Sequence, residues 1–151
     1  VKKGVNSAII NLGGNVLCIG SKPDGTPFKV GIQKPFADRN ETEAVMDIAG
    51  KSVVSSGIYE RCFKQGGKLY HHILNPKTGY PYDNSLVSVT IISDQSVDGD
   101  ALSTTCFALG LEDGLKFAEK KGVQAVFITE DYELHYTDGF LDEINVTDVE
   151  S

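Results

Sequence analysis

The segment from Asp98 to Gly110 constrains the fold more than any other part of the chain. It begins with two carboxylates, continues as an apolar run and stops at a glycine. Asp100 suits a helix N-cap, because its side chain can accept a backbone hydrogen bond and its charge favours the positive end of the helix dipole. The segment therefore predicts a helix from Asp100 to Leu109, with Gly110 in the left-handed position just past its end.

Within this helix, Asp100 and Thr104 are four residues apart, so their side-chain oxygens lie on one face. A carboxylate and a hydroxyl in this arrangement can both bind a hard cation and leave positions for water and a phosphate. The alternative is purely structural, with a capping Asp and with Ser and Thr hydroxyls that bond to the helix's own carbonyls. Caps are commoner than metal sites, so this segment alone favours the structural alternative.

A second polar segment, residues 70–82, places two adjacent histidines before a turn rich in proline and glycine. Neighbouring residues on a strand face opposite ways, so only one of His71 and His72 can point at a given site. A histidine on a strand is more often a hydrogen-bonded structural residue than a catalyst. The next strand leads into the Asp100 helix, and this order can bring histidine, turn and helix to one end of a sheet.

The glycine pair at Gly13 and Gly14, followed by Asn15, comes directly after a predicted strand. Glycine permits either a sharp backbone turn or the close approach of a ligand. A plain tight turn is the commoner of these two alternatives.

Composition limits the class of protein. A chain of 151 residues normally forms one domain, here 1–151, with a full core. The formal charge of −7 argues against nucleic acid as a partner, since no basic stripe is present. The apolar neighbours and odd number of cysteines favour buried free thiols over disulfides.

The hydrophobic pattern predicts many strands and two late helices, which is an α+β fold with a mixed or antiparallel sheet and helices packed on one side. A short helix or turn is expected at Tyr59–Lys64, and an edge segment from Phe140 onward. The predicted helices are Asp100–Leu109 and Glu112–Lys121, the second closed by Gly122. The predicted strands are Ser7–Leu12, Val16–Gly20, Phe28–Gln33, two within Ala44–Ser55, a half-buried Leu86–Ile92, Val123–Thr129 and Tyr132–Thr137.

Two motifs are specific: His72-Ile-Leu-Asn-Pro-Lys-Thr-Gly79 and Asp100-Ala-Leu-Ser-Thr104. Three others accompany them in order, at Ala8–Asn15, Phe28–Pro35 and Ser55–Arg61. Together they cover most of the chain and resemble the ApbE family, the FAD:protein FMN transferases formerly called thiamine-biosynthesis lipoproteins. The resemblance implies an ApbE-like (T-fold-like) domain.

The resemblance also implies site roles. Asp100 and Thr104 would hold a divalent metal, Mg²⁺, under the pyrophosphate of FAD. His72, which matches the family histidine, would be the catalytic residue that orients the nucleotide or moves a proton. His71 would be its outward-facing neighbour.

The glycine loop (Gly13, Gly14 and Asn15) would lie near the flavin nucleotide. Two departures from the family pattern stand out: Asn75 replaces the usual Asp before the proline, and Ile58 stands where an Asp is frequent. Asn can still form the turn, so we expect its geometry to survive.

The activity implied by the resemblance is transfer of FMN. A threonine hydroxyl of an acceptor flavoprotein attacks the FMN phosphorus of FAD, AMP leaves, and FMN stays joined through a phosphoester. Family acceptors are subunits of membrane redox complexes of the sodium-pumping quinone reductase and Rnf types. Family members are exported lipoproteins, which implies a lipid-anchored protein at the outer face of the cytoplasmic membrane or in the periplasm.

The family's earlier half contains a Lys-Gly-x-x-x-Asp motif that donates a backbone oxygen to the metal. We therefore expect this chain to be the C-terminal portion of the enzyme, with the N-terminal part missing and the site incomplete. Two alternatives stay open: an FAD pyrophosphatase that releases FMN and AMP, and a flavin-binding domain without catalysis.

Overall fold

A computed structural model describes residues 4–38 and 41–148. The strands are β1 (Ala8–Asn11), β2 (Asn15–Ile19), β3 (Phe28–Gln33), β4 (Thr42–Ile48), β5 (Ser52–Gly57), β6 (Cys62–Gln65), β7 (Lys68–His71), β8 (Leu86–Ser93), β9 (Gln124–Thr129), β10 (Leu134–Tyr136) and β11 (Val146–Asp148). The helices are α1 (Ser96–Leu109), α2 (Leu111–Lys121) and α3 (Phe140–Glu143).

The strands form three antiparallel sheets, so the predicted α+β class is confirmed. The main sheet has the order β1-β2-β5-β8-β9-β10, a second sheet has the order β11-β4-β3, and β6 pairs with β7 as a ribbon. Helix α1 packs on β5 and β8, and α2 packs on β9. The second sheet contributes to a core with the opposite face of the main sheet. The main sheet is therefore the middle layer of the molecule.

Strand β8 is buried along its whole length, so the prediction of a half-buried strand was wrong. Val89 and Ile91 pack in the cluster that contains α1 and α2, whereas Ile92 packs in the cluster shared with the second sheet. The polar residues that alternate with them, such as Thr90, are buried too. Alternation in sequence normally marks a strand with one face in water, but here a second sheet covers that face.

Helix α1 begins one turn earlier than predicted, and Asp100 is not its N-cap. The N-cap is Gln95, and Asp100 lies in the second turn. Gly99 lies inside the helix and is buried. A Cβ at Gly99 would lie 2.7 Å from Cγ2 of Val54 and 3.2 Å from Oγ of Ser93. The glycine therefore permits close contact between α1 and β5.

The remaining differences concern short elements. The helix or turn predicted at Tyr59–Lys64 is present as a turn but continues into β6. The edge segment predicted from Phe140 onward begins with α3 and ends in β11, the edge strand that pairs with β4. Gly122 closes α2 in the left-handed conformation, as predicted. Gly110 has a positive φ of 82°, but its ψ of −178° is not left-handed helical, since it joins α1 directly to α2.

The cysteines are free, as predicted, but only two of them are buried. Burial raises the pKa of Cys106 to about 11, and it raises the pKa of Cys18 as well. Cys62 is exposed on β6, contrary to the prediction. No helix among the described residues is long and apolar enough to cross a membrane.

His71, at the end of β7, is a core residue. It is 8% exposed, its Nε2 donates to the carbonyl oxygen of Tyr82 at 2.9 Å, and its ring meets Phe107 edge-on. The prediction that His71 faces outward was therefore wrong, because its side of β7 faces Phe107 of α1. Burial is the main cause that lowers the pKa of His71 below its ordinary value, so the buried ring is neutral.

We predict that Gly99→Ala destabilises the protein. Ala has a better helix propensity by about 1 kcal/mol, but overpacking a buried contact of this kind costs about 1–3 kcal/mol. Urea unfolding should show a net loss of stability, while Ala101→Ser, at an exposed position of the same helix, should change little. A gain in stability for Gly99→Ala would show that α1 can move away from β5 without cost.

We predict that His71 makes stability depend on pH. Its folded pKa lies below the unfolded value of 6.5, so the unfolded chain binds an extra proton as the pH falls through 6.5. The free energy of unfolding should therefore decrease as pH falls from about 7.5 towards 5. His71→Gln keeps a donor for the Tyr82 carbonyl and should flatten this dependence, whereas His72→Gln should preserve it. An unchanged profile in His71→Gln would contradict the prediction.

Candidate active site

A cavity of about 340 Å³ lies between the β1–β2 loop, β5, the residue that follows β7, and α1. The structure brings all six predicted site residues to its wall. They are Gly13, Gly14, Asn15, His72, Asp100 and Thr104. Residues from distant parts of the sequence therefore meet at one place, as the order of motifs suggested, while the role of each residue stays a prediction.

Asp100 and Thr104 lie one turn apart on α1 and both face the cavity. The Thr104 hydroxyl lies 3.1 Å from the hydroxyl of Ser56 on β5. Hydroxyls that bond back to helix carbonyls do occur, but at the neighbours: Ser103 donates to the Asp100 carbonyl and Thr105 to the Ala101 carbonyl. The alternative in which hydroxyls only bond to the helix's own carbonyls therefore holds for Ser103 and Thr105. The Thr104 hydroxyl instead contacts β5 at the cavity wall.

The donors at this wall are oxygen atoms, which is the chemistry that hard cations prefer. Asp100 and Glu60 supply carboxylates and Thr104 a hydroxyl. No group of three or more His, Cys, Asp or Glu side chains within the described residues is arranged to hold a metal. Mg²⁺ is usually bound by one or two carboxylates, with waters or substrate phosphates as its other ligands. The residues at this wall fit that mode of binding.

His72 lies directly after β7 and is exposed at the cavity wall. Its Nδ1 lies 3.3 Å from the carbonyl oxygen of Arg61. A carbonyl can only accept, so Nδ1 carries the hydrogen in the neutral ring and Nε2 is left with a lone pair. His72 is thus held in the tautomer that a general base requires. His71, on the opposite face of the chain, does not line this cavity.

The glycine loop is both a tight turn and a cavity wall. Gly13 and Gly14 have positive φ angles of 65° and 95°, which glycine adopts without strain. The loop closes through a bond from the Leu12 amide to the Asn15 carbonyl, 2.9 Å long. The hydroxyl of Ser96 at the start of α1 donates to Oδ1 of Asn15 at 2.6 Å. Asn15 therefore fixes the loop against the helix that carries Asp100.

The two departures from the family pattern have different consequences. Asn75 forms the expected turn, since its Oδ1 accepts from the Lys77 amide at 2.9 Å and its carbonyl accepts from the Gly79 amide at 2.8 Å. Ile58 is 5% exposed and packs in the core beneath α1. The side chain of Ile58 therefore points away from the cavity.

Sequence reasoning missed four polar residues at the cavity wall. Ser55 and Ser56 come from β5, and Glu60 and Arg61 from the turn after it. They belong to the Ser55–Arg61 motif, to which the resemblance assigns no role. The available signal was the change from two buried valines to two serines within one strand, which places hydroxyls at the end of a buried element. Tyr59 between them is no base, since burial raises its pKa to about 12.

The chain was compared with known proteins. The model of the ApbE family matches residues 1–127. The FAD:protein FMN transferase of Klebsiella pneumoniae (strain 342) is 45% identical over 131 residues, which cover 86% of this chain and 40% of that protein. The protein of the same name from Treponema pallidum (strain Nichols) is 37% identical over 153 residues, which cover 95% of this chain and 42% of that protein. The chain thus spans about two fifths of the length of these relatives.

Solved structures agree with these relatives. The crystal structure of the ApbE protein from Thermotoga maritima matches with a TM-score of 0.80 and 31% identity, over 89% of this chain and 44% of that one. The apo flavinyl transferase ApbE of Pseudomonas stutzeri matches with a TM-score of 0.74 and 33% identity, over 93% and 44%. The predicted ApbE-like fold is confirmed. From its five motifs, its fold and these matches, the chain belongs to the ApbE family.

Proposed function

We propose that the protein containing this chain transfers the FMN moiety of FAD to a threonine hydroxyl of an acceptor flavoprotein, releases AMP and depends on Mg²⁺. Relatives of this chain are named FAD:protein FMN transferases. The observation that carries the proposal is the single cavity that collects Asp100, Thr104, His72 and the glycine loop. Oxygen donors, an imidazole and a backbone wall without side chains together suit phosphoryl transfer from a dinucleotide.

The residues at the cavity wall would have separate roles in the reaction. The backbone of Gly13 and Gly14 has no side chain to keep a phosphate away, and Arg61 provides a cation at the same wall. His72, with its lone pair on Nε2, would take the proton from the threonine hydroxyl as the oxygen attacks the FMN phosphorus. The phosphoanhydride bond to AMP breaks, so FMN ends as a phosphoester and AMP departs with the electron pair.

Asp100 and Thr104 would hold the magnesium ion, with Glu60 as a further carboxylate near them. When bound, Mg²⁺ would neutralise the charge that develops on the phosphates. Without a cation, the two carboxylates would repel the pyrophosphate of FAD. Because the chain spans about two fifths of its relatives, we propose that the rest of the site comes from another part of the protein.

We also propose which proteins accept FMN and where the reaction takes place. The acceptors would be flavoprotein subunits of membrane redox complexes of the quinone reductase or Rnf type. The protein would be a lipid-anchored one at the outer face of the cytoplasmic membrane or in the periplasm. Both statements rest on the family motifs quoted above.

We predict that Asp100→Asn in the full-length protein lowers Mg²⁺-dependent FAD turnover by about 100-fold or more, since it removes the charge that binds a hard cation. Asp98→Asn is the matched control, because Asp98 is exposed on the same helix but does not line the cavity. Product analysis with and without acceptor, across a magnesium titration, measures the effect. If Asp100→Asn keeps the turnover and metal dependence of the wild type, Asp100 is not a metal ligand.

We predict that His72→Ala lowers transfer by about 100-fold or more, the lower range for loss of a general base. His71→Ala should lower the melting temperature but leave turnover per folded molecule nearly unchanged, because His71 lies in the core. Turnover should be measured well below the melting temperature of both variants. Equal losses of turnover in the two would contradict the separate roles of the histidines.

A further inference from the structure

Charge is unevenly distributed along this acidic chain. Residues 61–82 contain four of the 14 basic residues, Arg61, Lys64, Lys68 and Lys77, and none of the 21 acidic ones. This segment forms the β6–β7 ribbon and the turn after it. Lys64, Lys68 and Lys77 are exposed, and no ion pair joins any of them to a carboxylate within 4–38 and 41–148. The ribbon is therefore a positively charged surface on a negatively charged protein.

The same ribbon exposes large apolar side chains. Phe63 is 60% exposed, Leu74 50% and Tyr80 64%. Phe63 stacks on Tyr70 with ring centroids 5.2 Å apart, and both rings line a groove of about 590 Å³ with Leu74 and Tyr80. Exposed apolar side chains that cluster in this way mark interaction sites.

The groove is continuous with the candidate active site. Arg61 and His72 line both the groove and the cavity that holds Asp100 and Thr104. A partner in the groove would therefore lie beside the imidazole that we assign to the threonine proton. In the proposed reaction both FAD and the acceptor threonine must reach this imidazole. The cavity is assigned to FAD, which leaves the groove for the acceptor polypeptide.

The backbone of the ribbon also favours a polypeptide. β6 pairs with β7 on one side, and across the described residues no strand pairs with its other edge. All four residues of β6 are exposed. An open edge offers backbone donors and acceptors that an added strand can pair with. The hydrocarbon of a lipid bilayer cannot form hydrogen bonds with these backbone groups.

We propose that the β6–β7 ribbon and its groove are the docking surface for the acceptor, which binds as an extended segment with acidic and apolar side chains. Lys68 lies on the face of the ribbon that carries Phe63 and Tyr70, and Lys64 lies on the other face. Acidic residues on the two faces of the extended segment therefore meet one lysine each, and its apolar residues enter the groove beside Tyr80. This places the acceptor threonine at the mouth of the cavity near His72. The inference rests on the proposed transfer reaction and specifies where its protein substrate binds.

The test measures binding of two short labelled peptides to the full-length protein by fluorescence anisotropy. One peptide contains Asp, Leu, Gly and Thr, and the other has Lys in place of each Asp. We expect the acidic peptide to bind more tightly, and Lys64→Glu combined with Lys68→Glu to weaken it at least about 10-fold, which corresponds to about 1.4 kcal/mol. The same variant should gain affinity for the Lys peptide.

The control is Lys116→Glu combined with Lys120→Glu, which makes the same charge change at exposed positions of α2. It should leave both peptides unaffected. Tyr80→Ala should weaken both peptides alike, since its contribution is apolar. Equal binding of the acidic peptide to wild type and to the Lys64/Lys68 variant would overturn the proposal.

Two further measurements separate other occupants of the ribbon. Binding of FAD, followed by flavin fluorescence, should be unchanged in the Lys64/Lys68 variant, and its loss would assign the patch to the nucleotide instead. Binding of phosphatidylglycerol vesicles in place of the acidic peptide would assign it to a membrane and overturn the proposal. Absence of FAD turnover by the wild-type protein in the presence of an acceptor flavoprotein would reject the transfer reaction, while peptide binding would still report on the surface.

Discussion

The candidate site depends on the close contact between α1 and β5. Gly99 allows it, because any side chain there would collide with Val54. The contact fixes the height of α1 above the sheet and brings the Thr104 hydroxyl within 3.1 Å of Ser56. The hydrogen bond from Ser96 to Asn15 then fixes the glycine loop to the same helix. The absence of one methyl group at Gly99 therefore sets the spacing between Asp100 and Thr104 and the opposite wall of the cavity.

The two adjacent histidines show how one strand can serve both the core and the site. His71 turns inward and is held between the Tyr82 carbonyl and Phe107, whereas His72 turns outward to the cavity. Burial lowers the pKa of His71, so its ring stays neutral in the core. The buried ring also anchors the end of β7, from which His72 projects.

The distribution of charge separates the two surfaces that the proposed reaction needs. The cavity contains carboxylates that suit a cation, while the ribbon beside it carries lysines and exposed aromatic rings. Interactions between exposed charges extend only over about 10 Å at 0.1 M salt. Opposite potentials can therefore coexist on neighbouring surfaces, one for the nucleotide with its metal and one for an acidic polypeptide.

The sequence by itself determined the α+β class, most strands, the end of α2 at Gly122 and the family, because these depend on local periodicity, turn residues and short motifs. It also indicated the residues that meet at the cavity. It could not determine the start of α1, the full burial of β8 or the inward position of His71. Each of these depends on what lies against a surface. Val54 lies against the glycine inside α1, a second sheet covers polar β8 residues, and Phe107 of α1 meets the ring of His71. Such contacts join residues far apart in the chain, so only the tertiary structure decided them.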